Sequence, residues 1–360
     1  MSKIKDCFKN QKILITGHTG FKGSWLSSVL SLSYDAKIVG FSDKVVTKPA
    51  HYDLIKRLFY ADVRGDISSK NSLKILLSKY KPKFIFHLAA QSLVKNSYQN
   101  PYETFQANTI GTLNLLEALR ESNLKTTVII ITSDKAYENI EIKRGYKESD
   151  RLGGKDPYSG SKGAAELIIK SYFHSFLKSK KNIKIGVARA GNVIGGGDWS
   201  ANRLIPDAIR AWRDSKEMLI RNPNSTRPWQ HVLEPISGYL MFSRALFLDE
   251  IENGIALNFG PPINQSKSSL EVIKFLSNEL ENFKWRVNKR KNQIKEESEL
   301  LFLDSKKAFQ HLSWKTHLNT EQAVKLSSEW YKNYYSKKKN TQKAQTTFDQ
   351  IHKYTTKFYD

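Results

Sequence analysis

Tyr158 and Lys162 are spaced so that they could share one face of a helix and act in one proton transfer. A tyrosine with an ordinary pKa of about 10 is a poor base at neutral pH, and lowering that pKa by about three units requires about 4 kcal/mol. One cation about 4 Å away supplies roughly that amount at an effective dielectric constant of about 20, and a cationic nicotinamide ring would add to it. The pair therefore predicts a tyrosinate that removes the proton of an alcohol, although this spacing alone also occurs by chance.

Ser133, Asp134 and Lys135 directly follow a short apolar run that ends at Thr132 and is typical of a strand. Ligands of open α/β sheets bind beyond the carboxyl ends of the strands, so these side chains are candidates for the reacting site. Alcohol oxidation needs only a hydroxyl here, whereas an adjacent acid and amine could also carry out a β-elimination beside a new ketone. An ordinary ion pair at a strand end is the alternative for Asp134 and Lys135.

A glycine-rich turn follows the first predicted strand and opens a helix. Its glycines allow a tight turn, and the helix offers N–H groups and the positive end of its dipole to a pyrophosphate. The spacing differs from the ordinary dinucleotide fingerprint, but the position between strand and helix favours the same function. The residues of this turn that we expect to bind a dinucleotide are Gly17, Thr19, Gly20, Phe21, Lys22 and Gly23.

Acidic residues after the next two strands are candidates for the rest of the cofactor. Asp43 follows the second strand, where a carboxylate would hold a ribose 2′-OH and repel a 2′-phosphate, which favours NAD over NADP. Asp43 lies about one residue beyond the ideal position, so an exposed loop aspartate is the alternative. Asp66 and Ile67, after the third strand, could hold adenine by a hydrogen bond and an apolar contact.

Strands alternate with helices up to Ala190, which predicts an α/β fold with a parallel, doubly wound Rossmann sheet. A helix-rich section then interrupts the alternation before residues 255–260 supply one more strand to the sheet, so we expect a smaller, interleaved substrate-binding domain. The predicted parts are an NAD-binding domain at 1–190 with a returning segment at about 228–260, a nucleotide-sugar-binding domain at 191–227 and 261–335, and a basic C-terminal arm at 336–360.

The composition describes a folded but strongly basic protein. The 360 residues include 58 Lys+Arg and 35 Asp+Glu, a net charge of +23, and 39% hydrophobic residues, which exclude a disordered polycation. The single Cys7 excludes an internal disulfide or a multi-thiolate metal site, and the histidines are too scattered to indicate a metal. No apolar run reaches the roughly 18 residues of a membrane span, so we expect a cytoplasmic protein without a membrane partner.

The basic excess is also the usual footprint of a nucleic-acid binder. The clusters, such as Lys178 to Lys184 and Lys289 to Lys291, are scattered along the chain and flanked by polar residues. The sequence contains nothing that resembles a zinc finger, a basic zipper or an RNA-stacking motif. We therefore expect lysines on solvated faces and no nucleic-acid partner.

From about Gln11 to beyond Trp330 the chain resembles the extended short-chain dehydrogenase/reductase family and, within it, the sugar-nucleotide 4,6-dehydratases. The motifs that carry this resemblance are GHTGFKGSWL at 17–26, HLAAQ at 87–91, TSDK at 132–135, DPYS at 156–159, AGNVIGGGDW at 190–199, RLIPD at 203–207 and RPWQHV at 227–232. The resemblance implies conversion of CDP-glucose to CDP-4-keto-6-deoxyglucose and water, with NAD⁺ reduced and reoxidised in each turnover. It also implies a homodimer or homotetramer and a place in deoxysugar synthesis for a surface polysaccharide.

The resemblance assigns roles to the reacting residues. Tyr158 would take the C4 hydroxyl proton, Ser133 would hold that oxygen, and Lys162 would bind the nicotinamide ribose. Asp134 would protonate the departing C6 hydroxyl. Lys135 stands where relatives acting on dTDP-glucose carry a glutamate base, so here a neutral lysine with a depressed pKa would remove the C5 proton.

The remaining binding positions also come from the resemblance. Further cofactor contacts fall on Leu88, Ala89, Ala90, Gln91, Thr132 and Arg189. Substrate contacts fall on Ser133, Asn192, Arg203, Leu204, Arg221, Arg227 and His231. Arginine suits a diphosphate because its planar fork matches phosphate oxygens. A packing role is the alternative for His231.

Two other functions compete with this interpretation. The first is a nucleotide-sugar 4-epimerase, which needs only the serine, tyrosine and lysine, so Asp134 and Lys135 argue against it. A dehydratase for another nucleotide is also possible, because the identity of the nucleotide is inferred from the resemblance alone. A non-catalytic, dinucleotide-sensing protein that binds nucleic acid is the rival of another class. The intact Tyr158, Lys162 and Asp134 argue against lost catalysis.

Overall fold

A parallel sheet of seven strands lies at the centre of the computed structural model, which describes residues 6–288, 300–337 and 339–359. The cluster Lys289 to Lys291 lies outside these residues. The strands are β1 (Lys12–Thr16), β2 (Lys37–Ser42), β3 (Phe59–Arg64), β4 (Phe84–His87), β5 (Thr126–Ile131), β6 (Ile183–Ala190), β7 (Val193–Ile194), β8 (Met218–Ile220), β9 (Thr226–Arg227), β10 (Gln230–His231), β11 (Ala256–Phe259), β12 (Lys267–Ser268) and β13 (Trp285–Val287). The order in the large sheet is β11-β6-β5-β4-β1-β2-β3, with every neighbouring pair parallel.

Helices cover both faces of this sheet. They are α1 (Phe21–Tyr34), α2 (Tyr52–Ile55), α3 (Lys70–Tyr80), α4 (Val94–Gln99), α5 (Pro101–Phe105), α6 (Gly111–Glu121), α7 (Pro157–Tyr172), α8 (Leu204–Arg213), α9 (Leu233–Phe247), α10 (Ser269–Glu279), α11 (Lys306–Leu312), α12 (Thr320–Tyr335) and α13 (Asn340–Tyr359). Side chains of β1 alternate between two apolar cores: Ile13 and Ile15 join the core of Trp25, whereas Leu14 joins the core of Leu73. These buried faces confirm the predicted doubly wound α/β fold.

The order of the strands reverses between β1 and β4. Chain segments that leave neighbouring strands at such a point diverge to opposite faces and open a crevice at the carboxyl edge of the sheet. The glycine-rich turn after β1, the loop after β4 and the Ser133 turn after β5 all lie at this edge. The fold therefore brings the predicted cofactor and catalytic residues to one edge.

β11 returns to the sheet as the sequence predicts. It pairs with β6, with Leu257 opposite Ala188, after the chain has passed through α8 and α9. Three small two-stranded sheets, β7 with β10, β9 with β12 and β8 with β13, lie outside the large sheet. The exact domain boundaries in this interleaved arrangement remain predictions.

The last helix corrects the prediction of a C-terminal arm. Asn340–Tyr359 forms α13, which packs against α1, α2 and α12. Its buried residues recur at helical spacing: Ala344, Thr347, Ile351 and Tyr354. The predicted arm is wrong because the many lysine, threonine and glutamine residues conceal this stripe. Within the described residues, no helix is both long enough and apolar enough to cross a membrane.

Candidate active site

The first turns of α7 hold Tyr158 and Lys162 as the sequence predicts. Pro157 occupies the first helical position, and the Asp156 carboxylate caps the helix by accepting from the Ser159 backbone N–H at 3.0 Å. Both Tyr158 and Lys162 are more than nine-tenths buried. The capped helix therefore presents the phenol and the ammonium one turn apart on the same side.

The turn after β5 joins Ser133 and Asp134 to the tyrosine. The Ser133 hydroxyl donates to Asp134 Oδ1 at 2.8 Å and accepts from the backbone N–H of Lys135 at 3.2 Å. The same hydroxyl is hydrogen-bonded to the Tyr158 phenol. A Cβ at position 191 would lie 3.2 Å from Asp134 Oδ2, so Gly191 borders the carboxylate. A phenol, a hydroxyl and a carboxylate thus form one connected cluster.

Burial raises the pKa of Tyr158 to about 12, although the Ser133 hydroxyl and the charge of Arg203 oppose this shift. Burial lowers the pKa of Lys162 to about 8, and the Glu166 carboxylate opposes that shift. The sequence analysis assigned the lowering of the tyrosine pKa to Lys162. In the structure Ser133 and Arg203 are the groups that lower it, because the fold turns a distant arginine towards the phenol.

Lys22 belongs to the same cluster as the catalytic residues. This half-buried side chain leaves the first turn of α1, and its ammonium donates to the Tyr239 hydroxyl at 3.3 Å. Burial, followed by the positive charges of Arg203 and Lys162, lowers the pKa of Lys22 to about 8, while Asp134 opposes the shift. The sequence placed Lys22 in the cofactor turn only; the structure also gives it a place beside the reacting groups.

The glycine-rich turn fits a dinucleotide pyrophosphate. Gly17 has a φ of +74°, and a Cβ there would lie 2.7 Å from the Ala89 backbone nitrogen. A Cβ on Gly23 would lie 2.2 Å from the Gly17 carbonyl oxygen, so the backbone passes where no side chain fits. Gly20 begins α1 without a side-chain cap, which leaves the first N–H groups for a phosphate. The Thr19 hydroxyl fixes the turn through hydrogen bonds with the Ser42 hydroxyl and the Lys44 carbonyl oxygen.

The residues predicted to hold the adenosine half lie on loops. The Asp43 side chain is 56% exposed and accepts a hydrogen bond from the Lys44 backbone N–H at 2.7 Å. Asp66 accepts from the backbone N–H and hydroxyl of Ser68 at 2.8 and 2.6 Å. Ile67 is largely buried and packs against Gly111. The cofactor roles of Asp43, Asp66 and Ile67 remain predictions.

The loop after β4 faces the glycine-rich turn. Its residues Leu88, Ala89 and Ala90 are half-buried, and the Ala89 backbone N–H donates to the Thr16 hydroxyl at 3.2 Å. The Gln91 amide donates to the Leu93 carbonyl oxygen and the Thr104 hydroxyl, both at 3.0 Å. The side chain of Gln91 therefore shapes the loop, and the cofactor contacts of Leu88, Ala89, Ala90 and Gln91 remain predictions.

Two predicted cofactor residues instead form a buried polar network. Arg189 Nε and Nη2 donate to the two Glu166 carboxylate oxygens at 2.7 Å each, and Nη1 donates to the Tyr137 hydroxyl. The Thr132 hydroxyl donates to Glu166 Oε1 at 2.5 Å. Arg189 is 3% exposed, and its contact with a cofactor remains a prediction. A buried guanidinium requires a carboxylate partner, which Glu166 provides for Arg189. Because Glu166 also binds Thr132, these hydrogen bonds join β5, β6 and α7.

The predicted substrate residues lie in segments after β6 and β8. Arg203 forms an ion pair with Asp198 at 3.1 Å and acts electrostatically on Tyr158, which supports a position beside the substrate. Asn192 and Leu204 are half-buried, and Arg221 is exposed beyond β8. Arg227 is buried, and its Nη1 donates to the Thr226 carbonyl oxygen at 2.8 Å. Contacts of these five residues with a substrate remain predictions.

His231 is fully buried, and its contact with the substrate remains a prediction. Its ring meets the edge of Trp25 with centroids 5.8 Å apart, and Nδ1 accepts from the Leu233 backbone N–H at 3.4 Å. Burial lowers the pKa of His231 to about 3, so the ring is neutral. These contacts are those that the packing alternative expects.

Sequence reasoning missed several residues that shape the site. Glu166 lies four positions after Lys162 on the same face of α7, so helical spacing could have revealed it. Tyr239 and Asn108 offer no such signal. Asn108 accepts from the Gln91 backbone N–H at 2.8 Å and donates to the Ser161 hydroxyl at 2.8 Å, which joins the cofactor loop to α7. Among the described residues, no group of three or more histidine, cysteine, aspartate and glutamate side chains is placed to bind a metal ion.

The sequence matches the family model described as GDP-mannose 4,6 dehydratase over residues 14–327. CDP-glucose 4,6-dehydratase of Salmonella typhimurium strain LT2 is 37% identical over 335 residues, which cover 91% of this chain and 92% of that protein. CDP-paratose 2-epimerase of Salmonella typhi is 30% identical over 89% of this chain and 98% of that protein.

A solved structure supports the fold. The crystal structure of dTDP-glucose 4,6-dehydratase from Bacillus anthracis strain Ames in complex with NAD superimposes with a TM-score of 0.74 and 21% sequence identity. The alignment covers 90% of this chain and 97% of that chain. At this identity the likeness concerns the arrangement of strands and helices.

Proposed function

The chain belongs to the GDP-mannose 4,6-dehydratase family, and from this premise we propose that it converts CDP-D-glucose to CDP-4-dehydro-6-deoxy-D-glucose and water. The observation that carries the proposal is the connected cluster of Tyr158, Ser133 and Asp134. An epimerase needs no acid beside the serine, whereas a dehydratase must protonate a departing hydroxyl. The 37% identity with a CDP-glucose 4,6-dehydratase supports the nucleotide.

The first step is oxidation of the C4 alcohol. The glycine-rich turn and Lys162 would hold NAD⁺, which would supply a hydride acceptor for C4 and a hydride donor for C6. Tyr158 accepts the C4 hydroxyl proton, and Ser133, which already bonds to the phenol, holds the same oxygen. Because burial raises the pKa of Tyr158 to about 12, the phenol needs positive charge nearby before it can act as a base. Lys162 and the nicotinamide ring supply that charge in this proposal, in addition to Arg203.

Elimination follows oxidation. The new C4 ketone makes the C5 hydrogen acidic, Lys135 removes it as a proton, and Asp134 protonates the departing C6 hydroxyl, which leaves as water. Reduced cofactor would supply the hydride for C6, and Lys135 would return a proton to C5. The 4-keto-6-deoxy sugar is the product, and no net reduction of the cofactor remains.

The role of Lys135 has a direct test. Lys135 is half-buried, and its backbone N–H is tied to the Ser133 hydroxyl. In deuterium oxide the wild-type enzyme should place solvent deuterium at C5, and Lys135→Met should lose that exchange. Normal exchange in Lys135→Met would assign the base to another residue.

The substrate is tested with a panel of nucleotide sugars. We expect CDP-glucose to yield a 4-keto-6-deoxy product without net NADH, while dTDP-glucose, UDP-glucose and GDP-mannose give little or none. Product from another nucleotide would change only the substrate assignment. The absence of product from every member of the panel would refute the dehydratase activity.

The diphosphate of the substrate needs cations in the cleft, and arginine provides the best geometry. Arg203 supports this part of the proposal because its charge reaches Tyr158 and Lys22 while its ion pair with Asp198 fixes its position. Arg221 and Arg227 would complete the phosphate contacts, and Asn192 would donate to the diphosphate. Arg203→Ala should raise the KM for CDP-glucose more than it lowers kcat.

A self-association surface is part of the proposal. Large apolar side chains are exposed on the neighbouring helices α4, α5 and α7: Tyr98, Tyr102, Phe105 and Leu167. Phe105 lies against Gly160, which joins α5 to the start of α7 in one surface. We expect a homodimer or homotetramer, because a monomer would leave this apolar surface in water. Light scattering should show an oligomer, and Tyr102→Lys with Leu167→Lys should give a monomer.

The setting of the enzyme completes the proposal. NAD⁺ and nucleotide sugars are metabolites of the cytoplasm, which supports that location, and the product is a precursor for deoxysugars of a surface polysaccharide. The proposal includes neither a membrane nor a nucleic-acid partner. Binding of duplex DNA that weakens steeply with salt would contradict the latter.

A further inference from the structure

The C-terminal helix α13 reaches the cofactor turn through a buried chain of hydrogen bonds. Trp330 Nε1 donates to the Thr347 hydroxyl at 2.8 Å, and Thr347 lies 2.9 Å from His51 Nε2. His51 Nδ1 lies 2.8 Å from the Ser24 hydroxyl, which donates to the Phe21 carbonyl oxygen at 2.9 Å. This series of hydrogen bonds therefore joins α12 and α13 to the first turn of α1.

Each hydrogen bond in this series has a single possible donor and acceptor. The Ser24 hydroxyl gives its hydrogen to the Phe21 carbonyl, so it accepts from His51 Nδ1–H. His51 Nε2 is then an acceptor and receives the Thr347 hydroxyl hydrogen, while Thr347 accepts from Trp330. Burial lowers the pKa of His51 to about 3, so the ring stays neutral and keeps this tautomer. The four side chains form a fully directed relay.

Close packing holds the relay in place. The His51 ring stacks on Trp25 with centroids 5.0 Å apart and an interplanar angle of 3°, and Trp25 Nε1 donates to the Gly196 carbonyl oxygen at 2.8 Å. A Cβ on Gly196 would lie 1.9 Å from the Trp330 ring, and a Cβ on Gly197 would lie 2.7 Å from His51 Cβ. Gly196 and Gly197 therefore leave the space that the Trp330 and His51 side chains occupy, which gives these glycines a packing role.

We propose that Thr347, His51 and Ser24 are positioning residues for the cofactor, and that α13 clamps the first turn of α1 in the orientation that binds the NAD⁺ pyrophosphate. This inference rests on the proposed NAD⁺ site. The turn that the relay reaches is the turn whose N–H groups are left without a side-chain cap. A helix N-terminus binds phosphate well only when its N–H groups point at the ligand, so an anchor on the Phe21 carbonyl acts directly on affinity.

The test compares NAD⁺ affinity with stability in matched variants. Thr347→Val keeps the shape and removes both hydrogen bonds, and we expect the Kd for NAD⁺ to rise about tenfold. Thr347→Ser keeps the hydroxyl, so its Kd should stay within about twofold of wild type. The control is Gln350→Met: Gln350 Nε2 anchors α13 to the Leu326 carbonyl oxygen at 2.8 Å but lies outside the relay. Gln350→Met should lower the melting temperature of the cofactor-free chain and leave the Kd for NAD⁺ unchanged.

A double-mutant cycle tests whether the two ends of the relay act together. Ser24→Ala breaks the relay at α1, and Thr347→Val breaks it at α13. If one relay carries the effect, the double variant should lose little more NAD⁺ affinity than either single variant. Multiplicative losses, or a normal Kd in Thr347→Val and Ser24→Ala, would overturn the inference. Failure of the wild-type chain to bind NAD⁺ would overturn the proposed function as well.

Discussion

The candidate reacting groups of this chain form one connected cluster. Tyr158, Ser133 and Asp134 lie on two separate elements, the start of α7 and the turn after β5, and the Ser133 hydroxyl bridges them. A single oxygen of the substrate can therefore take the place of one hydrogen-bond partner of Ser133 without a rearrangement of the backbone. Such preorganisation leaves little reorganisation for the reaction itself.

Tyr158→Phe tests the tyrosine as the C4 base. The change removes only the phenolic oxygen, so we expect kcat to fall about a thousandfold, within the range for the loss of a general base. NAD⁺ content and melting temperature should stay near wild type, because the aromatic ring still fills the buried site. A kcat within tenfold of wild type would exclude this role.

Lys22 tests the electrostatics of the cluster. In the proposed mechanism Lys162 binds the cofactor as an ammonium; burial lowers its pKa to about 8, and its charge lowers the pKa of the nearby Lys22. Because repulsion between two cations is mutual, the Lys22 charge also disfavours the charge of Lys162. Lys22→Met should raise the pKa of Lys162 and move the alkaline limb of kcat/KM to higher pH. The exposed Lys44→Met is the matched control and should leave the profile unchanged. An unshifted limb in Lys22→Met would show that the two charges are independent.

Motif spacing was sufficient to predict the residues that lie next to each other in sequence or on one helix. Tyr158 with Lys162, and Ser133 with Asp134, needed no tertiary information. The approach of Arg203 to Tyr158 and of Lys22 to Tyr239 depends on how distant segments fold over the sheet edge, which no local pattern encodes. The burial of Arg189 and His231 could not be predicted either, because a motif gives the position of a residue and not the direction of its side chain.

At the scale of elements, Glu166 holds together the strands and the helix that carry the catalytic groups. Its carboxylate receives Arg189 from β6 and the Thr132 hydroxyl from the end of β5, while Glu166 itself belongs to α7. Because the pair is buried, removal of one partner leaves an uncompensated charge. The distance between Ser133 and Tyr158 is therefore set in part by this ion pair.

We expect Glu166→Gln to lower the free energy of unfolding by about 3 to 5 kcal/mol, as the loss of one partner of a buried ion pair does. Urea unfolding followed by circular dichroism measures this change. Exposed Glu281→Gln is the control and should change the unfolding energy by less than about 0.5 kcal/mol. A similarly small change in Glu166→Gln would mean that water solvates the Arg189 charge when the carboxylate is removed.

The alternation of strands and helices predicted the central sheet and the return of β11, because each buried strand is a short apolar run. The same reasoning failed for α13, whose buried face consists of alanine, threonine, isoleucine and tyrosine among many polar residues. The partners of that face, α1 and α2, come from the other end of the chain. A helix that depends on such distant contacts has only a weak signal of its own.

At the scale of the whole molecule, buried titrating groups make stability depend on pH. Burial lowers the pKa of His51, His87 and His231 to about 3, whereas burial raises the pKa of Glu234 to about 7. The stability that the neutral histidines contribute is complete above their unfolded pKa of about 6.5 and is lost as the pH falls below it. Glu234 acts in the opposite direction between about pH 4.5 and 7.

Taken by themselves, these three histidines and this glutamate contribute a net uptake of about two protons on unfolding near pH 5. Their contribution to the free energy of unfolding should therefore fall by about 3 kcal/mol for each pH unit below pH 6, at about 1.36 kcal/mol per proton. Urea unfolding at several pH values measures this slope. His231→Asn should lower the proton uptake on unfolding by about one proton and reduce the slope accordingly. A flat profile between pH 6 and 5 would contradict neutral, buried histidines.

The relay from Thr347 to Phe21 joins two segments that are synthesised at different times. A ribosome releases the glycine-rich turn well before α13, so the proposed pyrophosphate site forms before the helix that completes the relay. A nascent chain can form the apolar contacts of β1 and α1 while the Ser24 and His51 hydrogen bonds still lack Thr347. If the relay positions the cofactor as proposed, products terminated before α13 should bind NAD⁺ weakly.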